Sequence, residues 1–272
     1  MTHTVTVACV QNCASDDTNQ SLEECHSLIE RASLQGAELI CLPEFCSHFH
    51  VTPELFDTGP QVETGHSALQ AFSAQAKELG CWLLIGSVAV MDEAGKLRNR
   101  SVLINALGEI FCRYDKIHMF DVMLGNGEEY RESDTFNPGS KAILADTPLG
   151  KLGLSICYDL RFAGLYRTLA QQGAEILTVP AAFMHTTGKA HWHVLLRSRA
   201  IETGSFVVAP CQYGLHGKAK TYGHSLIINP WGEIMAEAGD DQDVIVATLD
   251  LAEVISARSR VPALKHDREY EV

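Results

Sequence analysis

The sequence predicts an α/β protein, a four-layer α-β-β-α sandwich built from two similar halves. The prediction depends on three pairs of similar segments that recur in the same order. The pairs are GAELICLPEF (36–45) with GAEILTVPAAF (173–183), GCWLLIGSV (80–88) with GSFVVAPCQ (204–212), and SVLINALGEI (101–110) with SLIINPWGEI (225–234). Each half would form a sheet with helices on one face, and the other, apolar face of each sheet needs cover. Packing the two sheets together covers both faces.

The individual elements follow from the spacing of apolar residues. Short apolar and β-branched runs bounded by Gly, Pro or Asn predict strands. These runs are TVTVACV, AELICL, CWLLIGSVAV, KLGLSI, EILTVP, SFVVAP, HSLIIN and DVIVATL. Helices are predicted over 19–35, 65–79, 163–172 and 189–203.

Composition indicates one globular domain in a reducing compartment. The 272 residues are 46% hydrophobic and 20% charged, which is enough for a large core. No Pro/Gly/Ser-rich linker interrupts the chain, and 138–150 is typical of a connection inside a domain. We therefore predict one domain over 1–272, with internal halves of roughly 1–145 and 146–272. The nine cysteines are scattered without a CxxC motif, and MTHTVTVACVQN has no signal-peptide pattern, so a cytoplasmic location is predicted.

The charge of the chain argues against two classes of partner. The formal net charge is −13, whereas nucleic acids and anionic membranes are bound by basic surfaces. No run approaches the roughly 20 apolar residues of a membrane helix. Neither nucleic acid nor membrane is therefore predicted as a partner.

Three chemically distinct side chains follow predicted strands. Glu44 follows AELICLP, Lys116 follows EIFCRYD, and Cys157 follows KLGLSI. A free thiol has a pKa of roughly 8.5, so it needs a base or a cation to become a good nucleophile. A carboxylate, a lysine and a thiol at strand ends are a plausible set for acyl transfer through a thioester. The residues alone leave an alternative open for each position: Glu44 as a solvated loop acid, Lys116 as a surface lysine and Cys157 as a core cysteine.

The segments around these residues resemble a known family. LPEF (42–45), YDKIHMFD (114–121) and SICYDLRF (155–162) resemble the signature blocks of the carbon–nitrogen hydrolases, the nitrilase superfamily. Further similar segments are YRESDTFNPGS (130–140), AAFMHTTGKAHWHVLLRSRAIE (181–202) and YGHSLIINPWGE (222–233). The nearest resemblance is to the Nit-type amidases, which include omega-amidase and deaminated glutathione amidase. The α-β-β-α sandwich of this family agrees with the repeat.

The resemblance implies a role for each catalytic residue. Cys157 would be the nucleophile and Glu44 the general base and acid. Lys116 would bind the oxyanion together with the backbone N–H of Tyr158, and Glu132 would orient Lys116 and the substrate amide. The implied activity is the release of ammonia from a small ω-amide carboxylic acid through a cysteine thioester, without a cofactor. A solvated acid is the alternative for Glu132.

The resemblance also implies a substrate pocket. Tyr158, Arg161, Phe183 and Thr187 match substrate-binding positions, and the guanidinium of Arg161 would hold a carboxylate. The alternatives are a structural pair of Arg161 with Asp159 or another acid, and a plain core role for Phe183.

The HWH run at 191–193 invites a metal hypothesis, which helical geometry disfavours. His191 and His193 would point about 200° apart on a helix and would not share an ion. No metal site is therefore predicted, and Trp192 is expected to serve in packing.

Several alternatives remain open at this stage. The substrate could instead be an N-carbamoyl amide, an aliphatic amide or a nitrile. An alternative from another functional class is a catalytically silent subunit that serves in binding or as a scaffold. A metal-dependent hydrolase is disfavoured because HExxH is absent.

The family implies a homodimer or larger homo-oligomer, with a small amide and water as its other partners. Ala163 and Gly164 replace the usual Pro-Glu of the family, which removes a favourable first helical residue and an acid from the helix start.

Overall fold

The computed structural model describes residues 3–52, 56–125 and 127–271. Its helices are α1 (Thr18–Leu34), α2 (Ser67–Leu79), α3 (Ala163–Gln171), α4 (His185–Thr203) and α5 (Ala252–Arg260). The first strands are β1 (Thr4–Gln11), β2 (Leu39–Cys41), β3 (His50–Val51), β4 (Phe56–Asp57), β5 (Gln61–Val62), β6 (Trp82–Met91), β7 (Leu97–Ile104), β8 (Ile110–Asp115), β9 (Asp121–Gly125) and β10 (Glu128–Arg131). The remaining strands are β11 (Leu144–Thr147), β12 (Gly150–Leu154), β13 (Ile176–Thr178), β14 (Phe206–Ala209), β15 (Tyr213–His216), β16 (Ala219–Tyr222), β17 (Leu226–Ile228), β18 (Ile234–Glu237) and β19 (Asp243–Asp250). None of the described helices is long and apolar enough to cross a membrane.

Two mixed sheets organise the chain. The first has the strand order β19-β1-β2-β6-β7-β8, and the second has the order β11-β12-β13-β14-β17-β18. Each has a parallel centre, formed by β1-β2-β6 in one sheet and β12-β13-β14 in the other. Antiparallel strands flank both centres. The two sheets therefore repeat the same arrangement, as the paired sequence segments predict.

Successive side chains of β1 alternate between two core clusters, and this shows how the layers pack. Val7 and Cys9 belong to the large core cluster that contains residues of the second sheet, such as Leu154. Ala8 and Val10 belong instead to the cluster that includes the buried faces of α1 and α2. Since successive side chains of a strand point to opposite faces, one face of this sheet contacts the other sheet and one contacts helices. The predicted four-layer sandwich is confirmed.

The final strand does not stay with its own half. The sequence predicts that each half forms its own sheet, but β19 pairs antiparallel with β1 along the whole of Thr4–Gln11. This part of the prediction is wrong, because the sequence of a strand carries no local mark of the strand with which it pairs. The division into a single domain with two halves stays a prediction.

The four predicted helices are found, and only the start of α4 differs from the predicted boundaries by more than two residues. Helix α4 begins at His185 rather than at residue 189, and its first turn includes Gly188. A Cβ at Gly188 would lie 2.4 Å from Cβ of Tyr222, so this glycine lets the helix pack directly against β16. Helix α5 is not predicted from the sequence, because only Val254 and Ala257 of it are buried and its apolar pattern is weak.

Candidate active site

Three side chains predicted to be catalytic meet in one pocket. Glu44 follows β2, Lys116 follows β8 directly, and Cys157 follows β12. The Nζ atom of Lys116 donates to Oε1 of Glu44 at 2.9 Å, and both side chains are almost fully buried. Cys157 lines the same pocket. Glu44 and Lys116 therefore come from the first sheet, and the thiol comes from the second.

A glycine in β6 positions the loop that carries Glu44. A Cβ at Gly86 would lie 2.0 Å from the carbonyl oxygen of Leu42 and 2.3 Å from that of Pro43, so only glycine allows this approach. The strand register shifts at this point, and the next residue, Ser87, accepts a hydrogen bond from the backbone N–H of Phe45 at 3.0 Å. The loop is thus held on both sides of Glu44.

Glu132 lies on the other side of the Lys116 ammonium. Nζ of Lys116 contacts Oε1 and Oε2 of Glu132 at 3.0 and 2.8 Å. The backbone N–H of Phe120 donates to Oε2 of Glu132 at 2.7 Å, and the side chain of Glu132 is buried. The alternative of a solvated acid is therefore wrong. Lys116 is held between two carboxylates.

Asn99 completes this cluster and is not predicted from the sequence. Its Nδ2 atom donates to Oε1 of Glu44 and to Oε1 of Glu132, both at 2.9 Å. The two carboxylates would repel each other, and a shared amide donor and a shared cation hold them together. The segment RNRSVLI gives no signal for this role, because the contacts depend on where β7 lies in the sheet.

Cys157 has a backbone conformation that residues other than glycine seldom adopt. Its φ is +46°, at the first residue of a 3₁₀ turn over Cys157–Arg161. The backbone N–H of Cys157 donates to the carbonyl oxygen of Pro180 at 2.9 Å. The N–H of Tyr158 lies at the start of the turn, where such groups have no acceptor within the helix. This sharp turn after β12 places Cys157 and Tyr158 together in the wall of the pocket.

Asp159 connects the turn that carries Cys157 to the loop after Lys116. Its fully buried carboxylate accepts from the backbone N–H of Ile156 at 2.9 Å and from the hydroxyl of Tyr114 at 2.7 Å. It also lies 2.6 Å from Nδ1 of His118. The backbone N–H of His118 donates to the same oxygen, Oδ1, at 3.1 Å, so the acceptor sites of Asp159 are occupied and the alternative of a pair between Asp159 and Arg161 is wrong.

Burial controls the protonation of the thiol. Desolvation raises the pKa of Cys157 well above its ordinary value, and Glu44 raises it further by its charge and a side-chain hydrogen bond. Lys116 lowers this pKa, but its effect is smaller than that of burial. The thiol is therefore protonated at neutral pH and would need a base to become a good nucleophile.

The neighbouring carboxylates keep the side chain of Lys116 positively charged. Burial lowers the pKa of Lys116, but the charges of Glu132 and Glu44 outweigh it and hold the pKa well above its ordinary value. For Glu132, burial raises the pKa and the charge of Glu44 adds to this, while Lys116 opposes both. Lys116 thus remains an ammonium through the neutral range and can stabilise developing negative charge.

The pocket is narrow, and its walls are mostly apolar. Its walls are formed by the four ionisable residues above and by Phe45, Phe49, Phe120, Tyr158, Ala182, Phe183, Met184 and Thr187. Tyr158, Phe183 and Thr187 therefore line the same pocket as Cys157, and their role in substrate binding stays a prediction. The backbone N–H of Ala182 also donates to Oε2 of Glu44 at 2.8 Å, a contact that the sequence did not reveal.

Arg161 lies beside the pocket rather than in its wall. Its guanidinium is 5.4 Å from the ring centre of Phe183 and 5.7 Å from that of Tyr158. Its Nη1 atom lies 3.3 Å from Nδ1 of His191. Among the described residues, no carboxylate forms an ion pair with Arg161. The guanidinium therefore has N–H donors that can bind an acidic group beside Tyr158 and Phe183.

The HWH run separates into three different environments. His191 contacts Arg161, whereas His193 lies 2.9 Å from Oε1 of Glu237. Trp192 is fully buried, its Nε1–H donates to the carbonyl oxygen of His224 at 2.8 Å, and its ring lies 5.0 Å from that of Phe183. The expected packing role of Trp192 is confirmed.

Comparison with known proteins agrees with this geometry. Residues 6–259 match the model of the carbon-nitrogen hydrolase family. The deaminated glutathione amidase of Synechocystis sp. is 39% identical over 264 residues, which are 95% of this chain and 96% of that protein. Omega-amidase NIT2 of Bos taurus is 36% identical over 273 residues, which are 99% of this chain and 98% of that protein.

Solved structures show the same similarity. The structure of Saccharomyces cerevisiae Nit3, a member of branch 10 of the nitrilase superfamily, aligns with a TM-score of 0.83 and 31% identity over 97% of this chain and 96% of that one. The C. elegans NitFhit protein aligns with a TM-score of 0.88 and 32% identity over 98% of this chain, which spans 66% of that longer protein.

The chain belongs to the carbon-nitrogen hydrolase family. The resemblance drawn from its motifs is confirmed, and so is the Nit-type branch, since full-length relatives bear the names of both amidases. The protein is accordingly a hydrolase of carbon–nitrogen bonds whose similar relatives are named amidases.

Proposed function

We propose that the protein uses Cys157 to release ammonia from a small carboxylic acid that carries an ω-amide. The observation that carries this proposal is the ammonium of Lys116 held between Glu44 and Glu132 in the pocket that Cys157 lines. This arrangement supplies a nucleophile, a base and a fixed cation for the oxyanion.

The first half of the reaction forms a thioester. Glu44 takes the proton of the Cys157 thiol while the sulfur attacks the amide carbon, and the carbonyl oxygen becomes an oxyanion. One N–H of Lys116 and the backbone N–H of Tyr158 bind that oxygen. Glu44 then gives its proton to the nitrogen, the carbon–nitrogen bond breaks, and ammonia leaves.

The second half regenerates the enzyme. Glu44 removes a proton from a water molecule, and the resulting hydroxide attacks the thioester carbon. The second oxyanion uses the same two donors, and its collapse breaks the carbon–sulfur bond. The proton on Glu44 returns to the sulfur, which yields the carboxylic acid and the thiol.

The pocket supports a substrate that is small and acidic at its far end. Its apolar walls suit a short methylene chain, and Arg161 lies against two of the wall residues, Tyr158 and Phe183. A guanidinium binds a carboxylate through paired N–H donors. The two relatives compared above are named deaminated glutathione amidase and omega-amidase, and an acid that carries an ω-amide would combine these features.

The test is a substrate panel with ammonia as the readout. Deaminated glutathione and α-ketoglutaramate are compared with propionamide, an N-carbamoyl amino acid and an aliphatic nitrile. We expect turnover of the first two, with at least a thousandfold loss in Cys157→Ala and full retention in the control Cys112→Ala, which removes a half-buried thiol of β8. Turnover confined to nitriles or to the N-carbamoyl compound contradicts the substrate class, and equal activity of Cys157→Ala contradicts the mechanism.

A silent binding or scaffold subunit is the alternative from another class. The complete set of Glu44, Lys116, Glu132 and Cys157 in one buried pocket argues against it. A homodimer or larger homo-oligomer and a cytoplasmic location remain predictions, which sedimentation and cell fractionation test. A sedimentation coefficient that fits a monomer at micromolar concentration contradicts the first.

A further inference from the structure

We propose that His193, His224 and Glu237 form a site for a divalent transition-metal ion of the zinc type, separate from the catalytic pocket. Nε2 of His193 lies 2.9 Å and Nδ1 of His224 lies 3.0 Å from the same atom, Oε1 of Glu237. The three ligand atoms lie within 4.8 Å of one another. None of these residues lines the pocket that contains Cys157.

The distances from the two imidazole nitrogens to the carboxylate oxygen are close to those of a tetrahedral ion. With bonds of about 2.0–2.1 Å, two ligands of tetrahedral zinc are about 3.3 Å apart. Movements of a few tenths of an ångström would open the two observed separations to that value. Two imidazoles and one carboxylate leave a fourth position for water, and this donor set suits zinc-type ions better than calcium or magnesium, which prefer oxygen ligands.

The environment of His224 fixes its ring and leaves one nitrogen for the ion. Nε2 of His224 lies 3.2 Å from Oδ1 of Asp240, so a proton on Nε2 leaves the lone pair of Nδ1 directed toward Glu237. The ring stacks on that of Tyr222, with centres 4.5 Å apart. A carboxylate behind a ligating histidine is the usual device that sets its tautomer and orientation.

The backbone at His224 is held in a strained conformation. Its φ is +53°, a value that few residues other than glycine adopt, and its N–H donates to the carbonyl oxygen of Gly239 at 3.2 Å. Its own carbonyl oxygen accepts the indole N–H of Trp192 at 2.8 Å. Conformations of this kind persist only where the surroundings enforce them, and they concentrate at functional sites.

The three ligands come from different elements, so an ion would join them. His193 lies on α4, Glu237 ends β18, and His224 precedes β17. The side chains are 29%, 37% and 23% exposed, respectively, so an ion can reach them from solvent. An ion bound here would fasten α4 to the second sheet, and we expect it to raise the melting temperature without entering the reaction.

The test measures zinc binding to the full chain. Accessible thiols are first blocked with iodoacetamide, because the nine cysteines would compete for zinc. Titration against a chromophoric chelator should show one ion per chain with a Kd in the micromolar range or below. His193→Gln and Glu237→Gln should each weaken binding at least tenfold. The control His191→Gln removes an exposed imidazole from the same helix and should stay within twofold of the parent chain.

Two further readouts keep the proposal testable if a variant is unstable. Copper EPR of the unmodified sequence should show coupling to two imidazole nitrogens, and a saturating amount of zinc should raise the melting temperature by several degrees. The proposal is overturned if saturable binding is absent, if His191→Gln weakens binding as much as His193→Gln, or if the copper spectrum shows no nitrogen coupling. In each of these cases Glu237 is only a hydrogen-bond acceptor for two histidines. Zinc binding is independent of the proposed amidase activity, so the two proposals fail separately.

Discussion

The ammonium of Lys116 lies 2.8 Å from Oε2 of Glu132 in a cluster that excludes solvent. Nζ also contacts Oε1 of the same carboxylate at 3.0 Å, so Glu132 fixes the direction from which Lys116 faces the pocket. Because Glu44 contacts the same nitrogen, a change at Glu132 alters the cation and the base together. The first two predictions follow from this connection.

Replacing Glu132 with Gln should reduce kcat by about a hundred- to a thousandfold, the range seen when one electrostatic contact to a transition state is lost. The amide keeps the shape but removes the charge that orients Lys116. Ammonia release under saturating substrate measures the effect. Glu129→Gln is the matched control, since Glu129 is exposed and pairs with Arg131. Activity of Glu132→Gln within threefold of the parent would contradict the assigned role.

Replacing Asn99 with Leu should shift the pH dependence of the reaction. Asn99 donates to Glu132 and lowers its pKa, against the raising effect of burial. Without this donor the pKa of Glu132 rises further, so the cluster becomes protonated at a higher pH and the acidic limb of kcat/KM moves upward. The pH profile measures the shift, and Asn105→Leu, in an exposed turn, is the control. An unchanged acidic limb would contradict the prediction.

Alkylation of Cys157 in the free enzyme should accelerate steadily with pH. The thiolate is the reactive form, and burial followed by the charge of Glu44 raises the pKa of this thiol well above its ordinary value. Each pH unit between 7 and 9 should therefore increase the rate about tenfold, without a plateau. Mass spectrometry of the peptide that contains Cys157 follows the reaction. A plateau with a midpoint below pH 8 would show that the thiolate is stabilised at rest.

Replacing Arg161 with Gln should raise KM for ω-amide acids about ten- to a hundredfold, since hydrogen bonds to charged groups contribute about 1.5–3 kcal/mol. KM for propionamide, which has no carboxylate, should change little. Initial rates over a range of each substrate separate the two outcomes. Arg131→Gln, at an exposed position, serves as the control. An equal rise in KM for both substrates would indicate a structural role for Arg161.

Replacing Gly164 with Ala should stabilise the fold by about 0.4–1 kcal/mol, because the alanine loses less conformational freedom on folding. Gly164 lies in the first turn of α3, and a Cβ there would meet nothing within 4 Å. The melting temperature should rise by about 1–4 °C. The control Gly188→Ala, where the added atom would lie 2.4 Å from Tyr222, should destabilise instead. A lower melting temperature for Gly164→Ala would contradict this account.

The sequence by itself determined the class of fold and the three candidate groups that meet in one pocket. The paired segments place similar strands in similar order, and the motifs mark Glu44, Lys116 and Cys157 at strand ends. These features depend on neighbouring residues, because a strand, its end and the turn that follows are encoded within about ten positions. The three groups accordingly meet where the sequence predicts a site.

Only the tertiary structure decided which other residues complete that site. Asn99 reaches Glu44 across 55 positions, and Asp159 reaches Tyr114 across 45. The pairing of β19 with β1 and the contact of His193 with Glu237 also join residues that are far apart in the sequence. The physical reason is that a strand carries no local mark of the strand it will pair with, or of the side chain that will face it. Those partners are selected by burial and hydrogen bonding once both sheets have packed.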